Sequence, residues 1–306
     1  MNILITGGAG FIGSHLSRKL LDEGNKVVAV DNLSQGNRDL IKDLLVKDDF
    51  VFVEADVFDV VKMESIFKHN QFDLVFQLIA NTSVYKGGYS PLLDIRETLS
   101  STLEVLGYVA KFGIKKFAYL SSSTVYGVMD EVMRETTAHL LPISFYGAAK
   151  LAGEAFASAY SSMYDIQMWV FRLGNVVGPD ATHGIVHDIK EKLLLNKKEL
   201  HLLGDGTQAK PFIHVSDAVE GIIFAYNNLN DAYNVIQVGN EEQITMKEVA
   251  EIILHELKLS TKIIFSDSSS TWVGDVSRYR YDVTKLKSLG WQPMWSTKDA
   301  IRQSVK

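Results

Sequence analysis

The chain has 306 residues, of which 46% are hydrophobic, and its 31 basic and 37 acidic side chains give a net charge of −6. This composition is typical of an ordered globular protein of one or two domains, because a disordered chain lacks the apolar residues that offset the entropy of folding. The charges are interspersed without a basic block, which argues against a nucleic-acid partner. The absence of cysteine excludes disulfides and thiolate chemistry.

No apolar run approaches the roughly 20 residues of a membrane span, and the first predicted strand leaves no room for a signal peptide. We therefore expect no membrane association and a cytoplasmic location. Both expectations come from the hydropathy pattern alone.

Short runs rich in β-branched residues alternate with segments of helical periodicity over the first 173 residues. This alternation is typical of βαβ units that build a parallel sheet. The predicted strands are 3–6, 26–31, 50–54, 74–78, 116–121 and 167–173, and the predicted long helices are 11–23, 91–112 and 146–164. We expect an α/β fold with a doubly wound parallel Rossmann sheet.

After residue 173 the sequence changes to polar connections interrupted by glycine and proline. We expect a smaller C-terminal substrate-binding lobe made of residues 174–211 and 240–306. Segments 212–217 and 233–239 have the pattern of strands, so residues 212–239 are expected to return to the first domain.

A glycine-rich turn connects the first predicted strand to the first predicted helix, with the pattern Gly8-x-Gly10-x-x-Gly13. Glycines in this setting permit a tight turn and let a pyrophosphate approach the helix N–H groups. Asp31 ends the second strand, where a carboxylate accepts hydrogen bonds from ribose hydroxyls. Because Asp31 would repel a 2′-phosphate and residues 32–34 include no arginine, the predicted cofactor is NAD rather than NADP.

Tyr146 and Lys150 are four residues apart in a predicted helix, so their side chains emerge on one face. The pKa of a free tyrosine is about 10, and a neighbouring ammonium together with a nicotinamide ring would lower it toward the range of a general base. Ser122, Ser123 and Thr124 follow the fifth strand, at the sheet edge where ligands bind. This constellation indicates proton transfer at a reacting carbonyl.

Several segments together resemble the extended short-chain dehydrogenases/reductases, and within them the NAD-dependent epimerase/dehydratase family typified by UDP-glucose 4-epimerase. The resemblance covers nearly the whole chain. Its segments are 6–13, 31–34, 121–127, 146–154, 172–179, 204–206, 274–275 and 289–293.

The resemblance implies that Tyr146 removes the proton of a sugar 4-hydroxyl while hydride passes to NAD, that Lys150 binds the cofactor ribose, and that Ser122 and Thr124 are the catalytic hydroxyls. It implies NAD contacts at Gly7, Gly10, Phe11, Ile12, Gly13, Asp31, Asn32, Asp56, Val57, Leu78, Ala80, Tyr146 and Lys150. It also implies contacts to a nucleotide-diphosphate sugar at Ser122, Ser123, Thr124, Tyr146, Asn175, Lys210 and Trp272.

The residues after the catalytic serine bear on the reaction. Sugar 4,6-dehydratases of this family carry an Asp-Glu pair there, whereas this chain has Ser123 and Thr124. Elimination would lack its proton shuttle, so the favoured function is 4-epimerisation through a transient 4-keto sugar. A 4,6-dehydratase, a 4-dehydrogenase and a decarboxylase stay open, and a non-catalytic NAD-sensing protein is less favoured because it needs none of the catalytic residues.

The chain departs from the family pattern at four positions. Gln77 replaces a histidine and Thr98 replaces an asparagine, both near the cofactor. Lys210 and Trp272 replace arginines that bind the substrate diphosphate, and lysine cannot form the bidentate contact of arginine. We therefore expect the nucleotide to be bound differently here.

His183 and His187 have the spacing of a metal pair, but no carboxylates accompany them, so a surface pair and no metal site are expected. The two long helices carry more apolar residues than one sheet face requires, which favours a homodimer, with ordinary core packing as the alternative. These residues are Leu92, Leu99, Leu103, Leu106, Leu151, Ala155 and Ala159.

Overall fold

The computed structural model describes residues 1–82, 88, 90–266 and 274–306. Its centre is a seven-stranded sheet in which every neighbouring pair is parallel, in the order β12-β7-β5-β4-β1-β2-β3. The order reverses between β1 and β4, which places a crevice at the carboxyl ends of these two strands. The strands are β1 (Asn2–Thr6), β2 (Lys26–Asp31), β3 (Phe50–Glu54), β4 (Leu74–Gln77), β5 (Lys116–Ser122), β7 (Gln167–Leu173) and β12 (Tyr233–Val238).

Helices cover both faces of this sheet because alternate strand residues point to opposite sides. Ile3 and Ile5 of β1 belong to one buried apolar layer, and Leu4 belongs to the other. The helices are α1 (Phe11–Asp22), α2 (Val60–His69), α3 (Pro91–Asp94 and Ser101–Lys111, joined by the π-helical segment Ile95–Ser100), α4 (Phe145–Tyr164), α5 (Ile185–Leu195), α6 (Val215–Asn228), α7 (Met246–Glu256), α8 (Thr284–Ser288) and α9 (Thr297–Val305). No helix in the described ranges has the length and apolar content needed to cross a bilayer.

Among the described residues, four short two-stranded ladders lie outside the large sheet, and the C-terminal part has a core of its own, which includes Ile189, Ile253 and Ile301. Helix α7 begins with a complete capping box between Thr245 and Glu248. The ladders pair β8 (Asn175–Val177) with β11 (Phe212–His214), β9 (Glu199–Leu202) with β14 (Lys262–Phe265), β10 (Ala209–Lys210) with β13 (Ile244–Thr245), and β6 (Val132–Met133) with β15 (Arg280–Tyr281).

The predicted Rossmann sheet is confirmed, and the six strands predicted before residue 174 begin and end within one residue of the predicted bounds. The predicted strand 212–217 is wrong in its second half. Strand β11 ends at His214, whose ring accepts the backbone N–H of Ser216 at 3.3 Å and caps α6. Strand β11 pairs with β8 outside the large sheet, whereas β12 joins the sheet beside β7.

Candidate active site

The glycine turn between β1 and α1 has the geometry of an anion site. Gly7 has a φ of +75°, and its N–H donates to the carbonyl of Val30 at 2.8 Å. A side chain at Gly13 would collide with the carbonyl oxygen of Gly7, so α1 packs directly against the turn. No acidic residue lies in the first turn of α1. The positive end of this helix therefore faces the crevice, where a phosphate is stabilised.

A cleft at the carboxyl ends of β1, β2 and β4 contains most of the predicted cofactor contacts. They are Gly7, Gly10, Phe11, Asp31, Asn32, Asp56, Val57, Leu78 and Ala80. Ile12, Gly13, Tyr146 and Lys150 do not line this cleft, which ends before the catalytic helix. Lining residues that the sequence did not single out as cofactor contacts include Ser34, Gln35, Gly36, Phe58, Thr82, Glu97, Ser101, Thr182 and His183.

The carboxylate of Asp31 is fixed in this cleft by two backbone N–H groups. Its Oδ2 accepts from Ala9 at 3.1 Å and its Oδ1 accepts from Leu33 at 2.8 Å. Burial raises the pKa of Asp31, and the two N–H groups oppose that rise. No arginine or lysine occurs among the described residues that line the cleft. An acidic, arginine-free pocket fits the ribose hydroxyls of NAD and not a 2′-phosphate.

Asp56 and Asn32 meet at the adenosine end of the cleft. Asn32 Nδ2 donates to Asp56 Oδ2 at 3.0 Å, and Asp56 Oδ1 accepts the N–H of Phe58 at 3.0 Å. The Asp56 carboxylate is therefore fixed by its own loop, and its contact with adenine stays a prediction.

Helix α4 presents Tyr146 and Lys150 toward the end of β5. The hydroxyl of Ser144 caps the helix by accepting the N–H of Gly147 at 3.1 Å. Lys150 is 2% exposed, and its Nζ donates to the carbonyl of Leu120 at 2.5 Å. The same nitrogen lies 5.8 Å from the centre of the Tyr146 ring. The predicted pairing on one helical face is thus present.

The electrostatics of this pair differ from the expectation based on spacing. Burial raises the pKa of Tyr146, the Asp94 carboxylate raises it further, and a hydrogen bond with Ser122 lowers it. Burial lowers the pKa of Lys150 to about 7, against the opposing effect of Glu154. The protein alone therefore does not make the phenol acidic, because desolvation and the Asp94 carboxylate outweigh the hydrogen bond with Ser122.

The predicted hydroxyls lie together. The N–H and the hydroxyl of Thr124 donate to the Ser122 oxygen at 3.2 Å and 3.0 Å. Ser123 is hydrogen-bonded to the phenol of Tyr279, a contact that lowers the pKa of Tyr279 against the larger effect of burial. Ser122 is therefore an acceptor for Thr124, which leaves its own proton available for another group.

Two predicted substrate contacts have partners within the protein. Asn175 Nδ2 donates to Tyr279 Oη at 2.7 Å and to the carbonyl of Pro211 at 3.0 Å. Lys210 Nζ donates to the buried Asp275 carboxylate at 2.5 Å. The predicted contact Trp272 lies outside the described residues.

A buried ion pair behind the catalytic helix was not identified as functional from the sequence. The carboxylate of Glu154, one turn after Lys150, accepts hydrogen bonds from Arg172 Nε at 3.0 Å and from Arg172 Nη2 at 2.7 Å. Glu154 also accepts the hydroxyl of Ser121 at 2.5 Å, and Arg172 Nη1 donates to Tyr126 at 2.9 Å. This network connects α4, β5 and β7, and so fixes the position of α4 relative to the sheet.

The two positions that depart from the family pattern near the cofactor are buried and hydrogen-bonded. Gln77 bonds with the hydroxyl of Thr6 and donates to Thr102 at 3.3 Å. Thr98 accepts the N–H of Asn81 at 3.0 Å. Both side chains connect the end of the sheet to α3.

Asp94 stands out because its carboxyl is 1% exposed. Its Oδ1 accepts Asn81 Nδ2 at 2.9 Å, and its Oδ2 has no hydrogen-bond partner among the described residues. Burial raises the pKa of Asp94. No group of three or more His, Asp or Glu side chains suited to a metal ion occurs in the described part of the chain.

Comparisons with known proteins agree with this geometry. The profile of the NAD dependent epimerase/dehydratase family matches residues 3–239. The putative UDP-glucose 4-epimerase of Methanocaldococcus jannaschii is 30% identical over 308 residues, covering 99% of this chain and 97% of that protein. The UDP-glucuronic acid decarboxylase 1 of Arabidopsis thaliana is 28% identical over 313 residues, covering 100% of this chain and 69% of that protein. The structure of Thermus thermophilus UDP-glucose 4-epimerase in complex with NAD has a TM-score of 0.90 and 28% identity, covering 100% of this chain and 98% of that one.

Proposed function

Since the chain belongs to the NAD dependent epimerase/dehydratase family, we propose that it is a nucleotide-sugar 4-epimerase that uses Tyr146 as its general base. The observation that carries the proposal is the grouping of Tyr146, Ser122 and Lys150 beside a cleft suited to NAD. When bound, NAD would supply the acceptor for a hydride from the sugar and the donor for its return, so that no net oxidation occurs.

The chain's own residues would move and position the proton. Tyr146 Oη takes the proton of the sugar 4-hydroxyl and later returns it to the 4-keto oxygen. Ser122, which is hydrogen-bonded to the phenol, keeps this oxygen oriented. Lys150 is fixed against the Leu120 carbonyl and supplies a partial positive charge beside the ring. The raised pKa of Tyr146 means that the phenol releases its proton only when further positive charge enters the site.

The substrate would be a nucleotide-diphosphate sugar, with a UDP-sugar as the first choice because the named relatives act on UDP-sugars. Ser123, Thr124 and Tyr146 would contact the sugar. Asn175 and Lys210 remain the predicted diphosphate contacts, together with Trp272. The pair of Lys210 with Asp275 means that its charge is partly offset before the diphosphate arrives.

A decarboxylase is the second candidate, favoured by the Arabidopsis relative, which matches the whole of this chain. A 4,6-dehydratase and a 4-dehydrogenase are further alternative functions. Residues 123 and 124 carry hydroxyls and no carboxyl, which favours epimerisation over elimination. A non-catalytic NAD-sensing protein would not need the three catalytic side chains.

The proposal includes a homodimer formed through α3 and α4. Leu92 and Met163 on these helices are 71% and 73% exposed. Ala155 and Ala159 are also exposed, whereas Leu106 is fully buried and belongs to the core. An apolar surface on two adjacent helices is typical of a two-fold interface.

We also propose that residues 1–173 with 212–239 form the cofactor domain, that residues 174–211 and 240–306 form the substrate lobe, and that the enzyme works in the cytoplasm. The domain division is supported by the separate apolar core of the C-terminal part. The location is supported by the absence of cysteine.

The purified protein with NAD should be incubated with UDP-glucose, UDP-galactose, UDP-glucuronic acid and UDP-N-acetylglucosamine, and the products identified by NMR. We expect interconversion of a pair of C4 epimers without net NADH. The variant Tyr146→Phe should lose about 10²- to 10⁴-fold in kcat with NAD affinity unchanged, while Tyr164→Phe, at the exposed end of the same helix, should stay active. A pentose product with release of CO2, a 4-keto-6-deoxy product, or full activity of Tyr146→Phe would overturn the proposal.

A further inference from the structure

A loop of the C-terminal part reaches the cofactor cleft. Residues 178–184 connect β8 to α5, and Thr182 and His183 of this loop line the cleft together with Gly10 and Phe11. The glycine turn forms one side of the cleft and belongs to the first domain. The cleft therefore has walls from two parts of the chain that are about 170 residues apart in sequence.

The loop is packed against the first helix of the sheet domain. A side chain at Gly178 would come within 2.9 Å of the Phe11 ring, so the backbone there lies directly on the start of α1. Two residues further, Asp180 Oδ2 lies 3.4 Å from Nε2 of His15 on α1. Burial lowers the pKa of His15, and the neighbouring Arg18 adds to that effect while Asp180 opposes it. The position of Thr182 and His183 is thus fixed by contacts with the helix whose N-terminus faces the cleft.

His183 supplies a hydrogen-bond donor in that position, and Thr182 determines which ring nitrogen carries the proton. Thr182 Oγ1 lies 3.3 Å from His183 Nδ1. When the hydroxyl donates to Nδ1, the ring proton resides on Nε2, which is then a donor. Desolvation in the cleft lowers the pKa of His183, with Asp188 opposing that effect and His187 adding to it.

A pyrophosphate bound at the glycine turn would require donors on its outer side. The described lining residues include no lysine or arginine, and the acidic Asp31, Asp56 and Glu97 lie elsewhere along the same cleft. On the inner side the helix N-terminus and the turn provide N–H groups. The loop 178–184 contributes two polar residues to the lining of the same cleft, Thr182 and His183.

We propose that His183, with Thr182, binds the pyrophosphate of the dinucleotide from the side opposite the glycine turn, which makes the loop 178–184 part of the cofactor site. The inference deepens the proposed function and rests on its use of NAD. Its consequence is retention: the loop slows the departure of the dinucleotide between turnovers, so that the cofactor reduced in the first half of a cycle is the one oxidised in the second half.

The test compares His183→Ala with His187→Ala, since His187 is four residues further along and does not line the cleft. NAD dissociation is measured by stopped-flow displacement, and equilibrium binding of ADP-ribose and of adenosine is measured by calorimetry. Loss of one hydrogen bond should speed NAD release and weaken ADP-ribose about three- to tenfold in His183→Ala. Adenosine binding should not change, because adenosine has no pyrophosphate. His183→Gln, which keeps an N–H donor at a similar reach, should recover most of the affinity.

The inference is overturned if His183→Ala releases NAD at the wild-type rate, if His187→Ala has the same effect, or if adenosine and ADP-ribose weaken equally. Thermal unfolding of each variant shows whether the fold is retained, and if His183→Ala fails to fold it is replaced by His183→Leu, which also removes the N–H donor. None of these measurements requires turnover. A protein that retains NAD through His183 but converts no nucleotide sugar would contradict the proposed function and leave this inference intact.

Discussion

Two lysines of this protein have opposite electrostatic settings. Lys150 lies one turn from Glu154, but both oxygens of that carboxylate are engaged by Arg172, and the lysine contacts a backbone carbonyl instead. Lys210 is paired directly with Asp275 at 2.5 Å. Burial lowers the pKa of Lys150 to about 7. A lysine near a carboxylate is therefore kept titratable when an arginine has already occupied that carboxylate.

The difference between the surroundings of these two lysines has a functional interpretation. At the catalytic helix the protein maintains a lysine that gains or loses its proton near neutral pH, which suits a site where charge changes during the reaction. At the predicted diphosphate site the lysine is paired with a carboxylate, so its charge is partly offset. Three substitutions test the comparison.

The largest effect is expected from Arg172→Met. Removal of the arginine leaves the Glu154 carboxylate buried and without its ion-pair partner, which should cost about 3–5 kcal/mol in the free energy of unfolding. The measurement is the urea unfolding curve at pH 7.5. Arg134→Met is the control, because the pair of Arg134 with Asp282 is half exposed on the arginine side and should contribute less than about 1 kcal/mol.

The double variant Arg172→Met, Glu154→Gln removes both charges and should recover part of the lost stability. Equal unfolding midpoints for Arg172→Met and Arg134→Met would show that the buried pair does not carry the stability assigned to it.

An intermediate effect is expected from Asp94→Asn, which tests the other charge near the base. Tyr146 is influenced by Asp94 of α3, by the hydrogen bond of Ser122 from β5, and by the nearby Lys150 of its own helix. Burial is the main cause of the raised pKa of Tyr146, and the Asp94 carboxylate is the second. Neutralising Asp94 lowers that pKa, so the phenolate forms at lower pH and the rising limb of kcat/KM against pH moves to lower pH.

The measurement for Asp94→Asn is the pH profile of kcat/KM at saturating NAD, together with the tyrosinate absorbance in the near ultraviolet. Glu104→Gln, an exposed residue on the same helix, should leave the profile in place. Movement of the limb to higher pH would contradict the assigned sign.

The smallest effect is expected at the second lysine. In the double variant Lys210→Met, Asp275→Asn both charges disappear, and KM for the nucleotide sugar should rise less than about threefold with kcat unchanged, because the pair offsets its own charge. The single variant Asp275→Asn leaves the ammonium uncompensated and should lower KM. A rise in KM of about tenfold for the double variant would mean that Lys210 contributes much more to diphosphate binding than a charge offset by its partner should.

The sheet and the glycine turn could be predicted because their signals are local. A short apolar strand, a turn that requires glycine and a carboxylate at the end of β2 all occur within about 30 residues. The same holds for Tyr146 and Lys150, which share a helical face.

The rest depends on contacts between distant residues. Lys210 meets Asp275, which is 65 residues away, and no pattern around either residue predicts the pair. Thr182 and His183 reach the cleft only because the loop folds back on α1. The direction in which the pKa of Tyr146 shifts depends on how deeply the ring is buried. The strand predicted over 212–217 was wrong in its second half. Its last three residues, Val215, Ser216 and Asp217, have an apolar–polar–polar pattern that occurs both in strands and at the start of a helix.

The position of β12 limits where the chain can be truncated without exposing a new sheet edge. The edge of the large sheet is completed by Tyr233–Val238, which pairs with β7 over six residues. A fragment that stops at Leu173 would leave unpaired those N–H and C=O groups of β7 that bond with β12, beside an apolar surface that includes Trp169, and such an edge recruits other chains. Expression of the first 173 residues alone should therefore yield aggregates, whereas a version in which the segment 212–239 is spliced back by a short linker has β12 as its edge strand, as in the full chain.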